Sequence, residues 1–362
     1  MKNYSQNYYK YFIKYIIFAI FVFLVYHLTI WFVYTSKIFG LSNNVTVGDL
    51  GRIAYQVDFL QPRSLKYTLK KKLLSKEDAK NQRIDIITMG DSFSIAKAGG
   101  INPYYQEYLA THYNLNIVNI HSAPNNDFIT TIIGLYNNGT LRKIKPKAII
   151  IETVQRAVIE VYDRNYDFSS KHHIYDITKL VINPRYSLYT PHLLPINNAN
   201  YKFTFYNTYY DLSYKYKLHK AYSFKLKKDF FSSQKKNVLL VYKDDINNIL
   251  LTNKNKLIHI NHTFNKLARL LKKLNIQLYF MPASDKYNLY YPYITSTPYI
   301  KSQFFEIFRT LPKEYYFVDT EYILLKELKK GVQDLYYSDD THWSYKASQA
   351  ISTSSIFESL EY

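Results

Sequence analysis

The chain has 362 residues, 47% of them hydrophobic, enough to bury a substantial core in one large or two ordinary domains, so disorder is excluded as the default state. It contains no cysteine, which rules out thiolate catalysis, disulfides and Cys-ligated zinc. Lys and Arg number 47 against 28 Asp and Glu, a formal charge of +19, but the basic residues are spread along the chain and no nucleic-acid motif accompanies them, so nucleic acid is set aside as a partner.

Residues 1–14, with Lys2, Lys10 and Lys14, read as a cytoplasmic tail. Residues 15–35, "YIIFAIFVFLVYHLTIWFVYT", carry one ionisable side chain besides the tyrosines, His27, and as a helix they span a hydrocarbon layer of roughly 30 Å. The run ends in Tyr34-Thr35-Ser36-Lys37 rather than in an Ala-x-Ala-like site, which favours an uncleaved single-pass anchor over a signal peptide. The preceding lysines place the N-terminus inside, with Trp31 and Tyr34 as interface anchors on the far side of an inner-membrane-type bilayer. Residues 36–82 are then an exported lead-in, and the remainder is extracytoplasmic.

"RIDIITMGDSFSIAKAG" has an apolar run, Ile84 to Met89, that stops at Gly90-Asp91; it reads as a buried strand, a tight turn and a helix. Further strands are expected at Asn116 to Ile120, Ala148 to Val154, Ile276 to Ala283 and Tyr315 to Thr320. Between the strands lie helical patterns such as "IHINHTFNKLARLLKKL", where Ile260, Phe264, Leu267 and Leu271 share one helical face. Such alternation predicts an α/β domain of three layers, helices on both sides of a central parallel sheet. Residues 83–160 form its first part and 256–362 its second. Residues 161–255 break the rhythm: "YKFTFYNTYYDLSYKYKL" alternates aromatic and polar residues, and the segment reads as a strand-rich or irregular insertion. Its tyrosines suit either a half-buried sheet surface, the favoured account, or a platform for sugar rings.

"GDSF", Gly90 to Phe93, falls on the predicted strand-to-helix turn, so Ser92 projects at the carboxyl edge of the sheet, where open α/β folds bind ligands, and its N–H sits where a developing oxyanion is stabilised. A nucleophilic serine needs a histidine whose tautomer is held by a carboxylate. Of ten histidines only His342, in "YYSDDTHWSYKAS", follows carboxylates at such short spacing, Asp339 and Asp340. His259 and His262 share one helix without an evident third ligand, so no metal and no cofactor is expected.

Gly90-Asp91-Ser92 together with Asp339-Asp340-Thr341-His342-Trp343 resembles the first and last blocks of SGNH (GDSL-type) hydrolases. The "DTHW" form, with "FMPASDKYNLYYPY" after a late strand, is similar to the alginate O-acetyltransferase-like branch, whose members modify exported polysaccharides. The resemblance covers residues 83–160 and 256–362, and its middle blocks depart from the family pattern. "NIHSAPNND", with His121, stands where the superfamily has a glycine, and "IETVQRAVI" where it has an asparagine.

The resemblance implies an acyl-serine on Ser92, with His342 as base and oxyanion or substrate contacts drawn from Asn119, His121, Asn125, Asn126, Gln155 and Arg156. Trp343, Asp285 and Lys286 complete the candidate contacts. Arg156 paired with Glu152 or Glu160, and Asp285 with Lys286 as a loop ion pair, are structural alternatives. For the acid that orients His342 the resemblance implies two choices, Asp339 by the three-residue spacing usual in the superfamily and Asp340 by the two-residue spacing of the alginate-type "DTHW" block. With the serine first and the histidine last, as in the ordinary superfamily order, Asp339 is favoured, and Ser344 is the expected N-cap of the closing helix. The expected activity is O-acetyl transfer to an exported polysaccharide or cell-envelope glycan, fed by a separate membrane-bound O-acyltransferase because acetyl-CoA is cytoplasmic. A carbohydrate esterase or deacetylase, or a catalytically idle glycan-binding subunit, is the alternative.

Overall fold

The protein is described by a computed structural model covering residues 2–39, 47–61, 63, 68–171, 173–186, 194–214 and 220–361. Five parallel strands, β1 (Ile86–Met89), β2 (Ile117–Asn119), β3 (Ala148–Val154), β6 (Gln277–Ala283) and β7 (Tyr316–Phe317), form one sheet in the order β2-β1-β3-β6-β7. A separate antiparallel hairpin, β4 (Ala221–Lys225) with β5 (Val238–Tyr242), comes from the insertion. The short strands are apolar without alternation because helices bury both faces.

Period-two alternation sorts their side chains into two cores. Ile86, Ile117, Ile150, Tyr279 and Met281 pack on one side with Leu109, Leu324 and Ile351, from the helices Tyr105–His112, Thr320–Lys329 and Tyr345–Ser352. Ile87, Val118, Ile149, Ile151 and Phe280 pack on the other with Ile132, Phe264 and Phe308, from the helices Phe128–Asn137, Lys254–Lys272 and Phe304–Thr310. The result is the three-layer α/β architecture expected of the alternating pattern, and the helix over Lys254–Lys272 buries Ile260, Phe264, Leu267 and Leu271 completely.

Three local expectations are corrected. The segment after Gly90 is a series of tight turns, not a helix: Asp91 spends its side chain on the Phe93 N–H, and Ala96, Gly99 and Gly100 take positive φ (54°, 65° and 92°), which stops helical propagation. The aromatic stretch of the insertion is a helix, Asn198–Tyr214, not strand. Its aromatic and polar residues alternate, yet it packs along the N-terminal helix and tertiary contact decides its form.

That N-terminal helix runs Lys2–Ile30, passes through a π-helical turn at Trp31–Thr35 and ends at Phe39. Tyr8–Ile38 is apolar and long enough to cross a membrane. Trp31 and Tyr34 do not face outward as interface anchors: Trp31 is buried, and Tyr34 stacks on Phe203 of the insertion helix at 4.6 Å. His27 is buried as well, its Nδ1 2.8 Å from Asn200 Nδ2.

Phe264 is fully buried, 4.1 Å from the Phe280 ring and edge-on to Tyr162 at 5.3 Å. Phe264→Ala should cost about 3–5 kcal/mol, read as a fall in denaturation midpoint of the detergent-solubilised chain. An unchanged midpoint would contradict the packing described.

Candidate active site

β1 ends at Met89, and the next residues turn across the carboxyl edge of the sheet between β1 and β3. The strand order reverses there, β2 lying on one side of β1 and β3 on the other. Asp91 fixes this turn through both carboxylate oxygens: Oδ1 accepts from the Phe93 N–H at 3.0 Å, and Oδ2 from the Val154 N–H at the end of β3, at 2.8 Å. Ser94 is held from three sides. Glu152 Oε2 on β3 accepts from its N–H at 3.2 Å and its hydroxyl at 2.8 Å, while Asn119 Nδ2 and Gln106 Nε2 donate to its carbonyl at 3.0 and 2.9 Å. Gly90 leaves the room this requires, since a Cβ there would lie 2.0 Å from Ser94 Oγ and 2.4 Å from Glu152 Oε2. Between these two anchors Ser92 is partly buried, and among the described residues no hydrogen bond engages its N–H.

The second half of the site comes from the loop after Leu335. Ser92 Oγ lies 2.7 Å from His342 Nε2, and His342 Nδ1 lies 2.6 Å from Asp340 Oδ1, which also accepts from the His342 N–H at 3.0 Å. A carboxylate only accepts, so the imidazole carries its proton on Nδ1 and offers Nε2 as acceptor to the Ser92 hydroxyl. His342 is buried and its ring packs against Phe93 at 4.7 Å. Ser344 caps the closing helix, accepting from the Lys346 N–H at 3.1 Å.

Asp340, not the favoured Asp339, therefore orients the histidine. The reason is local: an aspartate reaches the backbone N–H two residues on in an Asx turn, and the imidazole of that residue then lies over the same oxygen. Asp339 points the other way, toward the segment that follows the apolar N-terminal helix. Its Oδ1 takes Arg63 Nη2 at 2.6 Å, its Oδ2 the Gly48 N–H at 2.9 Å and its carbonyl the Gly51 N–H at 2.9 Å.

The protonation states follow this division. Burial opposes ionisation of Asp340, but His342 and then Arg63 outweigh it and hold the carboxyl well below the ordinary range. For Asp339 burial prevails over Arg63 and raises the carboxyl. Burial likewise works against a charged His342, and the Asp340 carboxylate overrides it, so the ring titrates above its ordinary 6.5.

Residues 36–82 were expected only as an exported lead-in, yet residues 48–61 and Arg63 build the back of the site. Buried Arg63 reaches Asp340 Oδ2 at 3.2 Å as well as Asp339, and its guanidinium lies 3.9 Å from the centre of the Tyr337 ring. From the short helix Asp49–Ala54, Asp49 accepts from the Thr341 N–H at 2.8 Å and the Thr341 hydroxyl at 2.6 Å. Gln61 Oε1 accepts from the Ser338 N–H at 2.9 Å. A Cβ at Gly48 would fall 2.0 Å from the Asp339 carbonyl, so the backbones meet there only because the residue is glycine. No local pattern announced these contacts, which join residues nearly three hundred positions apart.

The remaining candidates are placed as follows. Lys286 is fully buried and is not paired with Asp285; its ammonium donates to the carbonyls of Tyr337 at 2.7 Å, Ser338 at 3.0 Å and Asp340 at 3.0 Å, forming a template under the loop that carries His342. Burial brings it down to about 8. Asp285 instead pairs with Arg156 at 3.1 Å, which also takes Asp245 at 2.9 Å, so neither Glu152 nor Glu160 is the arginine's partner. Gln155 accepts from the Asp285 N–H at 3.0 Å.

Asn119 is committed to Ser94 and Thr88 rather than to an oxyanion. His121, Asn125 and Asn126 lie in the loop after β2, without a hydrogen bond to Ser92 or His342. Trp343 is buried against Phe93 and Tyr105 and serves packing rather than substrate contact. Asp49, Asp340 and His342 converge as a metal site does, but their 2.6 Å Nδ1–Oδ1 contact and the Thr341 bonds to Asp49 are hydrogen-bond geometry. Among the described residues no other such group occurs, and His259 instead meets Asp163 at 3.0 Å.

No protein-family model, curated protein or solved structure matches the chain.

His342 should titrate above 6.5 by NMR, and Asp340→Asn should move it downward, because the substitution removes the charge that overrides burial. Asp339→Asn should leave it nearer its original value. A larger downward shift from Asp339→Asn than from Asp340→Asn would assign the orienting acid the other way.

Proposed function

We propose that the protein is a membrane-anchored serine acyltransferase that moves an acetyl group onto a hydroxyl of an exported polysaccharide or cell-envelope glycan. The observation that carries this reading is the hydrogen-bonded chain Ser92–His342–Asp340 at the carboxyl edge of the sheet. It stands where the resemblance to SGNH hydrolases of the alginate O-acetyltransferase-like branch puts a catalytic triad, with "DTHW" supplying the acid and base two residues apart. The apolar N-terminal helix supports anchoring in an inner-membrane-type bilayer, and the lysines ahead of it support an extracytoplasmic catalytic domain. A membrane-bound O-acyltransferase is then the donor partner.

In this scheme His342 Nε2 takes the Ser92 proton as Oγ attacks the carbonyl carbon of the acyl donor, and the ionised Asp340 stabilises the imidazolium. The tetrahedral oxyanion rests on the uncommitted Ser92 N–H. Collapse breaks the bond to the leaving group, which takes the proton back from His342 and leaves acetyl on Ser92. A sugar hydroxyl then gives its proton to Nε2, attacks the acyl-serine and departs as the acetyl ester, restoring Ser92. Water in place of the sugar makes the same residues an esterase, so the outcome depends on which acceptor reaches the acyl-serine.

Detergent-solubilised full chain, given an activated acetyl ester and oligosaccharide acceptors, should yield acetylated sugar, and Ser92→Ala should abolish it. Free acetate alone, with acceptor in excess, would favour the esterase; undiminished transfer by Ser92→Ala would refute the mechanism. Asp340→Asn should lower kcat roughly 10⁴-fold, as loss of the correct tautomer does in other triads, whereas Asp339→Asn should show a smaller rate loss with reduced thermal stability.

Because the base acts neutral and its ring titrates high, the acid limb of kcat/KM should lie above pH 6.5. Activity should therefore rise with pH through that limb. A limb near pH 4, the carboxylate range, would exclude His342 as the titrating base.

A further inference from the structure

We infer that the insertion helix Asn198–Tyr214 is a second membrane contact, lying in the bilayer interface beside the N-terminal helix; the inference rests on the reading of that helix as a membrane span.

The helix is inside out for a water-facing surface helix. Phe203 and Tyr210, seven residues apart, are buried toward the protein. Tyr201, Phe205, Tyr209 and Leu212 are 50%, 64%, 38% and 63% exposed, and the spacing i, i+4, i+8, i+11 puts them on one face. Phe205 and Tyr209 stack on each other at 6.0 Å rather than turning inward. Just ahead of the helix, Leu194 and Ile196 are 77% and 47% exposed. A continuous apolar and aromatic face of this kind marks a surface that something covers.

The position of the helix says what covers it. Tyr26 of the N-terminal helix stacks on Tyr201 at 5.5 Å, and its hydroxyl lies 2.7 Å from Thr204 Oγ1. Asn200 bonds His27 and, through its Oδ1, the Thr35 hydroxyl at 2.6 Å. If Lys14 marks one edge of the hydrocarbon, about twenty helical residues reach the other edge near Tyr34. Tyr26 and His27 then lie roughly 10–12 Å inside that edge and Tyr34 at it, so Tyr201 packed on Tyr26 and Phe203 packed on Tyr34 place the start of the helix among the acyl chains and carry the rest of it outward through the interface. The occupant is therefore lipid. Tyrosines with an apolar body and a polar tip suit this level, and exposed Lys202 and Lys220 rim a hollow of about 420 Å³ beside Tyr206 and Tyr209, where phosphate headgroups are neutralised. His27, the one ionisable group of the span besides tyrosine, is shielded from the acyl chains by this same helix.

The chain has no cysteine, so Phe205→Cys, Leu212→Cys, Phe18→Cys and Tyr175→Cys each place a single thiol for a fluorophore in the full chain reconstituted into phosphatidylcholine/phosphatidylglycerol vesicles. Phe18 is 65% exposed within the span, four residues past Lys14; Tyr175, 63% exposed, adjoins Ile174, which accepts from Asn138 beyond the helix Phe128–Asn137, toward the amino-terminal edge of the sheet. Nitroxide carried high on the lipid acyl chains of both leaflets should quench the labels at 18, 205 and 212 several-fold and spare 175. Quenching at 18 but not at 205 and 212 would overturn the inference and leave the anchor standing. Failure at 18 would overturn both. Labels at 205 and 212 that are shielded from water yet out of reach of lipid nitroxide would mean a protein covers the face, and would also overturn it.

Discussion

A buried carboxylate is unstable unless cations and hydrogen bonds replace the water it has lost, and this site buries two in succession, Asp339 and Asp340. Arg63 answers both with one guanidinium held flat on Tyr337, and Lys286 closes the opposite side through the loop carbonyls. Asp340 can then stay ionised beside His342 while Asp339 takes up the rest of the cluster. Both cations come from outside the catalytic loop, one from the segment after the apolar helix and one from the helix after β6. The loop is therefore shaped by what it packs on, and the serine–histidine–aspartate geometry is a consequence of that clamp.

The clamp also ties the chemistry to the apolar helix. Gly48, Asp49 and Gly51 follow that helix in sequence and contact Asp339 and Thr341 directly, so residues just beyond the apolar helix help to build the site. The hairpin β4–β5 and the insertion helix pack on the same short helix Asp49–Ala54, through Ala221, Leu240 and Tyr210 against Leu50 and Ala54. A domain cut free at residue 83 would lose Arg63 and with it the guanidinium that supports Asp340.

The parallel sheet was legible in the sequence because short apolar runs flanked by amphipathic segments have few other uses. All five predicted strands occur, and β3 coincides with its predicted bounds. Ser92 and His342 were legible because strand-end turns and closely spaced acids constrain chemistry locally. The choice between Asp339 and Asp340 was not, since spacing alone does not reveal which carboxylate an arginine elsewhere will claim. Arg63 and Asp49, and the partners though not the candidacy of Lys286, were hidden for the same reason: the contacts join residues between about fifty and three hundred positions apart. The helix Asn198–Tyr214 misled because its aromatic residues face both the protein and its outer surface, which erases the usual helical signature.

The central claim is that Ser92 is the nucleophile of an acyl-enzyme set up by His342 and Asp340. Peptide mapping of the full chain after brief acid quench from an activated acetyl ester tests it most directly. One acetyl group on the peptide containing Ser92, absent from His342→Ala, is the predicted result. Acetylation confined to lysines, or equal on Ser92 with and without His342, would contradict the account.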